Sequence, residues 1–222
     1  MDVNPEVDPE FEAAAARLAD VASRHPSFDP KIRELVALAV NAAVTHLHEP
    51  GIRRHVRGAL ENGATRAEIL ETFQLVSVLG IHAASVGFPL LHDLPLPPAD
   101  VDLDEIRAEF VRRRGYWDTG WDEVLRRAPG FFAAYLDFSS VPWRRGALEP
   151  KVKELIYVAI DVSATHLFTE GLRVHIGNAA RLGATPDEIV AVLEIASAIG
   201  VQTWDVGVPI LLEELDRLDG SP

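Results

Sequence analysis

The sequence predicts an all-helical protein made of two tandem copies of one helical unit. Three observations carry that reading. The stretch from Lys31 to Leu91 aligns without a gap on Lys151 to Leu211, at an offset of 120 residues and with 22 of 61 positions identical. Many of the other positions exchange one aliphatic side chain for another, which marks a duplication rather than chance similarity. Apolar residues recur at helical spacing throughout both copies, and no segment alternates with period two for long.

Within the first copy, Ile32, Leu35, Val36, Ala39, Val40, Ala43, Val44 and Leu47 follow helical spacing. Val152, Leu155, Ile156, Ala159, Ile160, Ala164 and Leu167 repeat the pattern. Pro30 and Pro150 suit a first helical turn, where the missing N–H is no loss. The helix should end near His48, because Pro50 and Gly51 follow. A second helix is expected from about Gly51 to Asn62, stopped by Gly63 as its partner is by Gly183. Thr65-Arg-Ala-Glu68 and Thr185-Pro-Asp-Glu188 each read as a capping box opening a third helix. That assigns Glu68 and Glu188 a structural task. The third helix runs to about Gly80 and Gly200, and a fourth passes Pro89 and Pro209. Flanking helices are expected near 9–24, 103–114, 120–128 and 131–140. Leu94 to Asp104, with three prolines within four residues, favours an extended connection. The boundary is placed near residue 98, giving units 1–98 and 99–222.

Composition excludes several functions. The net charge is −13, and so acidic a surface repels phosphate backbones, which argues against nucleic-acid binding. The triplet Arg112-Arg113-Arg114 has acidic residues on both sides and reads as a solvated helix face. Cysteine is absent, so disulfides and thiolate chemistry are excluded. The acidic, proline-bearing start is not a signal peptide. No apolar run approaches the roughly 20 residues of a bilayer span. A cytoplasmic protein without membrane partners is expected.

The candidate functional residues are those repeated in both copies. His46 and His55 recur as His166 and His175. At about 100° per residue, His46 falls at the edge of the apolar stripe beside Ala39 and Ala43, and His55 beside Ile52 and Ala59. A single buried histidine is more often a satisfied core residue that pins a turn. Recurrence in both units favours function most for His55 and His175. Glu34 shares a stripe with Asn41 and Thr45, repeated as Glu154, Asp161 and Thr165. That stripe lies opposite His46, so a Glu34–His46 couple within one helix is not expected. Taken singly, such a carboxylate more often faces water. Beside buried histidines it keeps acid/base chemistry open. Arg53 and Arg173 also correspond and could hold a carboxylate in bidentate fashion, although surface ion pairs are the commoner use. His46, His48, Glu49 and His55 are metal-ligand types, but their spacing matches no established set and the second copy has Phe168 and Thr169 at two of those places. No metal is expected on that basis.

These motifs resemble the carboxymuconolactone decarboxylase superfamily, which includes the alkylhydroperoxidase D-like proteins. The pattern is Glu34-Leu-Val, then His55-x-x-x-Ala59-Leu-x-x-Gly63-Ala-Thr-x-x-Glu68-Ile-x-Glu71, then Gly87-x-Pro89. The second copy carries Glu154, His175, Ala179, Gly183-Ala-Thr, Glu188-Ile and Gly207-x-Pro209. The resemblance implies two all-helical alkylhydroperoxidase D-like units and a homotrimer of duplicated chains. Thiol-active relatives carry Cys-x-x-Cys-x-x-x-His. Here those positions read His48-x-x-Gly51-x-x-x-His55 and Phe168-x-x-Gly171-x-x-x-His175, so thiol-dependent peroxidase chemistry is impossible. The implied activity is cofactor-free acid/base chemistry on a small, anionic, carboxylated lactone or ring compound. His55, His175, His46 and His166 are the candidate acids, Glu34 and Glu154 the orienting carboxylates, and Arg53 and Arg173 the anion anchors. Glu71 and His82 are replaced by Ala191 and Gln202, so the two sites cannot be equivalent, and the first unit reads as the richer. The competing reading is a non-catalytic small-molecule binder or assembly protein.

Overall fold

The computed structural model describes residues 8–26, 28–95 and 101–219. Twelve α-helices and no strand occur among the described residues. They are α1 (Pro9–Ser23), α2 (Pro30–Ala42), α3 (Glu49–Glu61), α4 (Arg66–Ser77), α5 (Ile81–Gly87), α6 (Leu103–Arg114), α7 (Asp122–Arg127), α8 (Pro129–Arg145), α9 (Pro150–Val162), α10 (Thr169–Arg181), α11 (Pro186–Ala198) and α12 (Gln202–Asp219). Helices α1–α5 are repeated as α8–α12, while α6 and α7 stand between the copies. The sequence-derived boundary at residue 98 lies outside the described residues.

The core is built on α2 and α9. Every residue from Leu35 to Asn41, and from Val152 to Asp161, is buried. Each helix is therefore surrounded by protein rather than carrying one apolar stripe. The two pack against each other at the pseudo-twofold between the copies. Thr45 and Thr165 hydroxyls meet there at 3.1 Å. The copies are also interleaved. Helix α1 packs on α11 of the second unit, and α8 packs on α4 of the first. A smaller aromatic cluster, centred on Phe110 and Phe132, joins α6 and α7 to α5 and α8.

Local signals acted as read in most places. Asp29 caps α2 by accepting from the Lys31 and Ile32 amides, with Pro30 in the first turn. Both capping boxes form, with Thr65 and Thr185 hydroxyls accepting from the Glu68 and Glu188 amides. Several boundaries differ: α4 ends at Ser77, α5 ends at Gly87 before Pro89, and α8 extends to Arg145. Helix α2 ends at Ala42, not near His48, and α9 ends correspondingly at Val162. The chain then makes a tight turn in which Leu47 and Leu167 adopt positive φ, 46° and 52°. The turn closes because the His48 amide donates to the Asn41 carbonyl at 2.9 Å and the Phe168 amide to that of Asp161 at 2.8 Å. His46 and His166 thus leave the helical grid on which their positions were projected.

The uninterrupted stretches 66–91 and 186–219 are long and apolar enough to cross a bilayer by length and composition. This differs from the sequence reading because 3₁₀ turns join the shorter helices end to end. The apolar side chains Leu75, Val76, Val192 and Ile195 from these stretches are spent on the core.

Acid should unfold the protein through its caps. Burial pushes the Glu68 carboxyl up. Hydrogen bonds from Lys31 and Thr65 outweigh it and hold the group below its usual 4.5. Lys151 and Thr185 do the same for Glu188. A depressed folded pKa gives stability that is present above the unfolded value and lost as pH falls through the folded one. Stability measured by denaturant melts should therefore fall below pH 4.5, and a Glu68→Gln, Glu188→Gln variant should show a shallower fall.

Candidate active site

The sequence placed Glu34 and His55 on consecutive helices without pairing them, and the fold brings them together. Glu34 on α2 accepts from His55 Nδ1 on α3 at 2.8 Å. The second unit repeats the dyad, with Glu154 and His175 at 2.6 Å. Neither carboxylate faces open water, against the reading that favoured solvent: the side chains are 17% and 5% exposed. Burial pushes Glu34 up. The hydrogen bond and charge of His55, with Arg33 and Arg54, reverse the balance and hold it below its usual value. An ionised Glu34 fixes the proton of neutral His55 on Nδ1, which leaves Nε2 as a base, or as an acid once protonated.

The two dyads sit in different surroundings. Glu34 and His55 line a cavity of about 550 Å³ between the units, walled by α1, α2, α3 and the segment from Ile195 to Asp205. That size suits a small ligand. Its basic lining is Arg33, Arg54 and Arg57. Among the described residues Arg33 Nε is buried with no hydrogen-bond partner, and Arg33 contacts the Glu34 carboxylate at 3.7 Å. The duplication explains why. Arg33 corresponds to Lys153, which pairs with buried Glu71 at 2.8 Å. The counterpart of Glu71 is Ala191, so Arg33 lacks the carboxylate that holds Lys153.

In the second unit the matching space is smaller. Tyr157 stands where the first unit has Ala37. It is 2% exposed, and its ring lies 4.6 Å from that of His175. Trp143 donates to its hydroxyl at 3.3 Å, and Asn178 donates to Glu154 at 3.3 Å. A pocket of about 240 Å³ there reaches Glu154 but is not lined by His175.

The other candidates fall elsewhere. Arg53 is exposed and pairs with Glu49 on its own helix face. Arg173 is exposed on α10 and lines neither space. The residue types that were expected as anchors are present in the cavity, but as Arg33, Arg54 and Arg57. His46 bonds through Nε2 to Gln202 Oε1 at 2.6 Å, and Gln202 donates to Asn41 Oδ1 at 2.8 Å. Asn41 and Gln202 line the cavity, whereas His46 does not. His166 Nε2 lies 2.6 Å from His82 Nδ1. Glu71 and His82, which made the first unit read as richer, do not serve its cavity. Glu71 accepts from the Ala147 and Leu148 amides of the second unit. His82 joins Asp161 and His166. Burial, then the charges of His166 and His175, drives His82 down to about 3. Burial lowers His166. Burial raises Asp161 to about 7, the positive charge of His175 opposing and Glu154 adding. Comparing the copies at the offset of 120 exposes what single-residue reading missed: Ala37 against Tyr157, and Arg54 against Val174.

The sequence model of the carboxymuconolactone decarboxylase family matches residues 9–92 and 129–207, which begin at α1 and at α8. A crystal structure from Burkholderia xenovorans LB400, provisionally described as a gamma-carboxymuconolactone decarboxylase subunit, is 44% identical with a TM-score of 0.88. The alignment covers 95% of this chain and 88% of that one. No curated protein matches. With the family pattern found twice at the spacing of the duplication, and with the fold shared along nearly the whole chain, this protein belongs to the carboxymuconolactone decarboxylase family.

Proposed function

We propose that the cavity of the first unit performs cofactor-free acid/base chemistry on a small carboxylated lactone or ring compound, by decarboxylation or a related isomerisation or hydrolysis, in the cytoplasm. The observation that carries this reading is the Glu34–His55 dyad facing a cavity that also holds Arg33, Arg54 and Arg57. A carboxylate vinylogous to a ring carbonyl has its own electron sink. When the C–C bond to that carboxylate breaks, the electron pair passes into the ring as a dienolate and carbon dioxide leaves. Protonated His55 then delivers the Nε2 proton to carbon, and Glu34 stabilises the imidazolium. The arginines hold the substrate anion in place of Arg53 and Arg173. The test is carbon dioxide release from a carboxymuconolactone-type substrate, compared between the parent and a His55→Ala, His175→Ala double variant. Release from the parent that survives in the double variant removes the histidines, and no release from the parent removes the decarboxylase activity.

A second reading is a small-molecule binder without catalysis. It is favoured by the second unit, where the same Glu–His dyad persists although Tyr157 lies against the His175 ring. A dyad of this kind can therefore serve packing alone. Calorimetric binding of the lactone with no turnover would select it.

The family resemblance also supports a homotrimer of duplicated chains. Ile210, Leu211, Leu215 and Leu218 on α12 expose apolar side chains, more than an isolated helix face needs. Light scattering should give three chain masses at micromolar concentration. A monomer would remove the trimer.

A further inference from the structure

The geometry points to a divalent transition-metal site, of the kind that takes zinc or cobalt, formed by His82, Asp161 and His166. It lies at the junction of the units and outside the proposed catalytic cavity, so it does not depend on the acid/base reading. His82 comes from α5 of the first unit, Asp161 from α9, and His166 from the turn that follows α9. His82 Nδ1 stands 2.6 Å from His166 Nε2 and 3.8 Å from Asp161 Oδ1. One donor atom from each residue falls within 4.8 Å of the others.

The duplication supplies an internal control. At the equivalent place the first unit has Gln202, Asn41 and His46, and these close their own hydrogen bonds. Gln202 donates to Asn41 and lies 2.6 Å from His46, while Asn41 Nδ2 donates to the Ala37 carbonyl. The second place replaces two amides by a carboxylate and an imidazole, and the network no longer closes. Asp161 is 1% exposed and its Oδ2 has no hydrogen-bond partner among the described residues. A buried carboxylate oxygen with no donor is unfavourable unless a cation compensates it. Two imidazoles and one carboxylate are the ligand types that first-row divalent ions take, with a position left for water.

The surroundings fit a bound ion. Phe168 replaces His48 and stacks on His82 at 4.0 Å between ring centres, which gives the ligands an apolar wall. A methyl group at Gly171 would collide with Asp161 Oδ2, so the carboxylate is held against the first turn of α10. Nitrogens that ligate one tetrahedral ion at about 2.0–2.1 Å stand roughly 3.3 Å apart. The rings must therefore part by a fraction of an ångström on binding. The metal-free alternative is one proton shared between the two imidazoles.

The test uses the full chain without a histidine tag, stripped with chelator and titrated with Co²⁺. The parent should take up one Co²⁺ per chain, develop visible d–d absorption that Zn²⁺ abolishes, and melt at a higher temperature with metal than without. A His82→Gln, Asp161→Asn double variant rebuilds the closed amide pairing of the first unit, so it should fold without metal. It should bind Co²⁺ at least tenfold more weakly and show no thermal shift. No uptake by the parent at tens of micromolar Co²⁺ would overturn the site. So would uptake of equal stoichiometry and affinity in the double variant, which would place the ion elsewhere, as at the stacked pair His46 and His48.

Discussion

His55→Ala should lower kcat/KM for a carboxymuconolactone-type substrate by about a hundred- to ten-thousand-fold, while His175→Ala leaves it within a few-fold of the parent. The difference follows from the surroundings of two otherwise equal dyads. His55 lines the open cavity and His175 does not, because Tyr157 lies against its ring. Glu34→Gln should also lower kcat, by less, because the amide no longer stabilises the imidazolium. Ala37→Tyr is the complementary variant. It places the second unit's aromatic in the first unit's cavity, and it should raise KM or abolish binding while His55 and Glu34 remain. Carbon dioxide release measures all four variants, and far-UV circular dichroism with thermal melts checks that each is folded. Equal losses from His55→Ala and His175→Ala would mean that Tyr157 does not close the second site.

Glu71→Ala should destabilise the chain by about 3–5 kcal/mol, the range expected when one partner of a buried ion pair is removed. Glu71 is 3% exposed and pairs with Lys153, whose side chain is 5% exposed. It also accepts from the Ala147 and Leu148 amides, so its removal orphans a charge and two backbone donors that join α4 to the loop before α9. Lys153 additionally donates to the Pro142 carbonyl at 2.7 Å. That bond keeps its ammonium in place once its partner is gone. Glu71→Gln, Lys153→Met should recover much of the loss, since a buried pair replaced by neutral groups is often close to neutral in stability. Urea melts read the difference directly. A loss below about 1 kcal/mol for Glu71→Ala would show that the loop relaxes and lets water reach Lys153.

The two predictions concern residues that the sequence treats alike. Glu71 and Glu34 both belong to the family pattern, yet one ties the units together and the other lines a cavity. Arg33 and Lys153 occupy equivalent positions, and only Lys153 has a buried carboxylate partner. Divergence after duplication thus separated a structural copy of the pair from a cationic cavity wall.

The fold was legible in the sequence because its determinants are local and repeated. Helical spacing, the prolines at first turns, the Thr–Glu capping boxes and the offset of 120 residues each act within a few residues, or between copies that can be compared directly. The recurrence of Glu34, His55 and their counterparts was legible for the same reason. Their pairing was not, because it depends on how α2 meets α3 after a turn that leaves helical geometry at Ala42. Helical projection fails from that residue on, and with it the placement of His46. The cavity, the choice of Arg33, Arg54 and Arg57 over Arg53, and the joining of His82 to Asp161 and His166 were decided by tertiary structure alone. The cavity and the His82 cluster unite side chains from both units, and the three arginines come from α2 and α3, which meet only after the turn between them. Whether such groups meet is set by the packing of whole helices, on which residue type and spacing within one segment have no purchase.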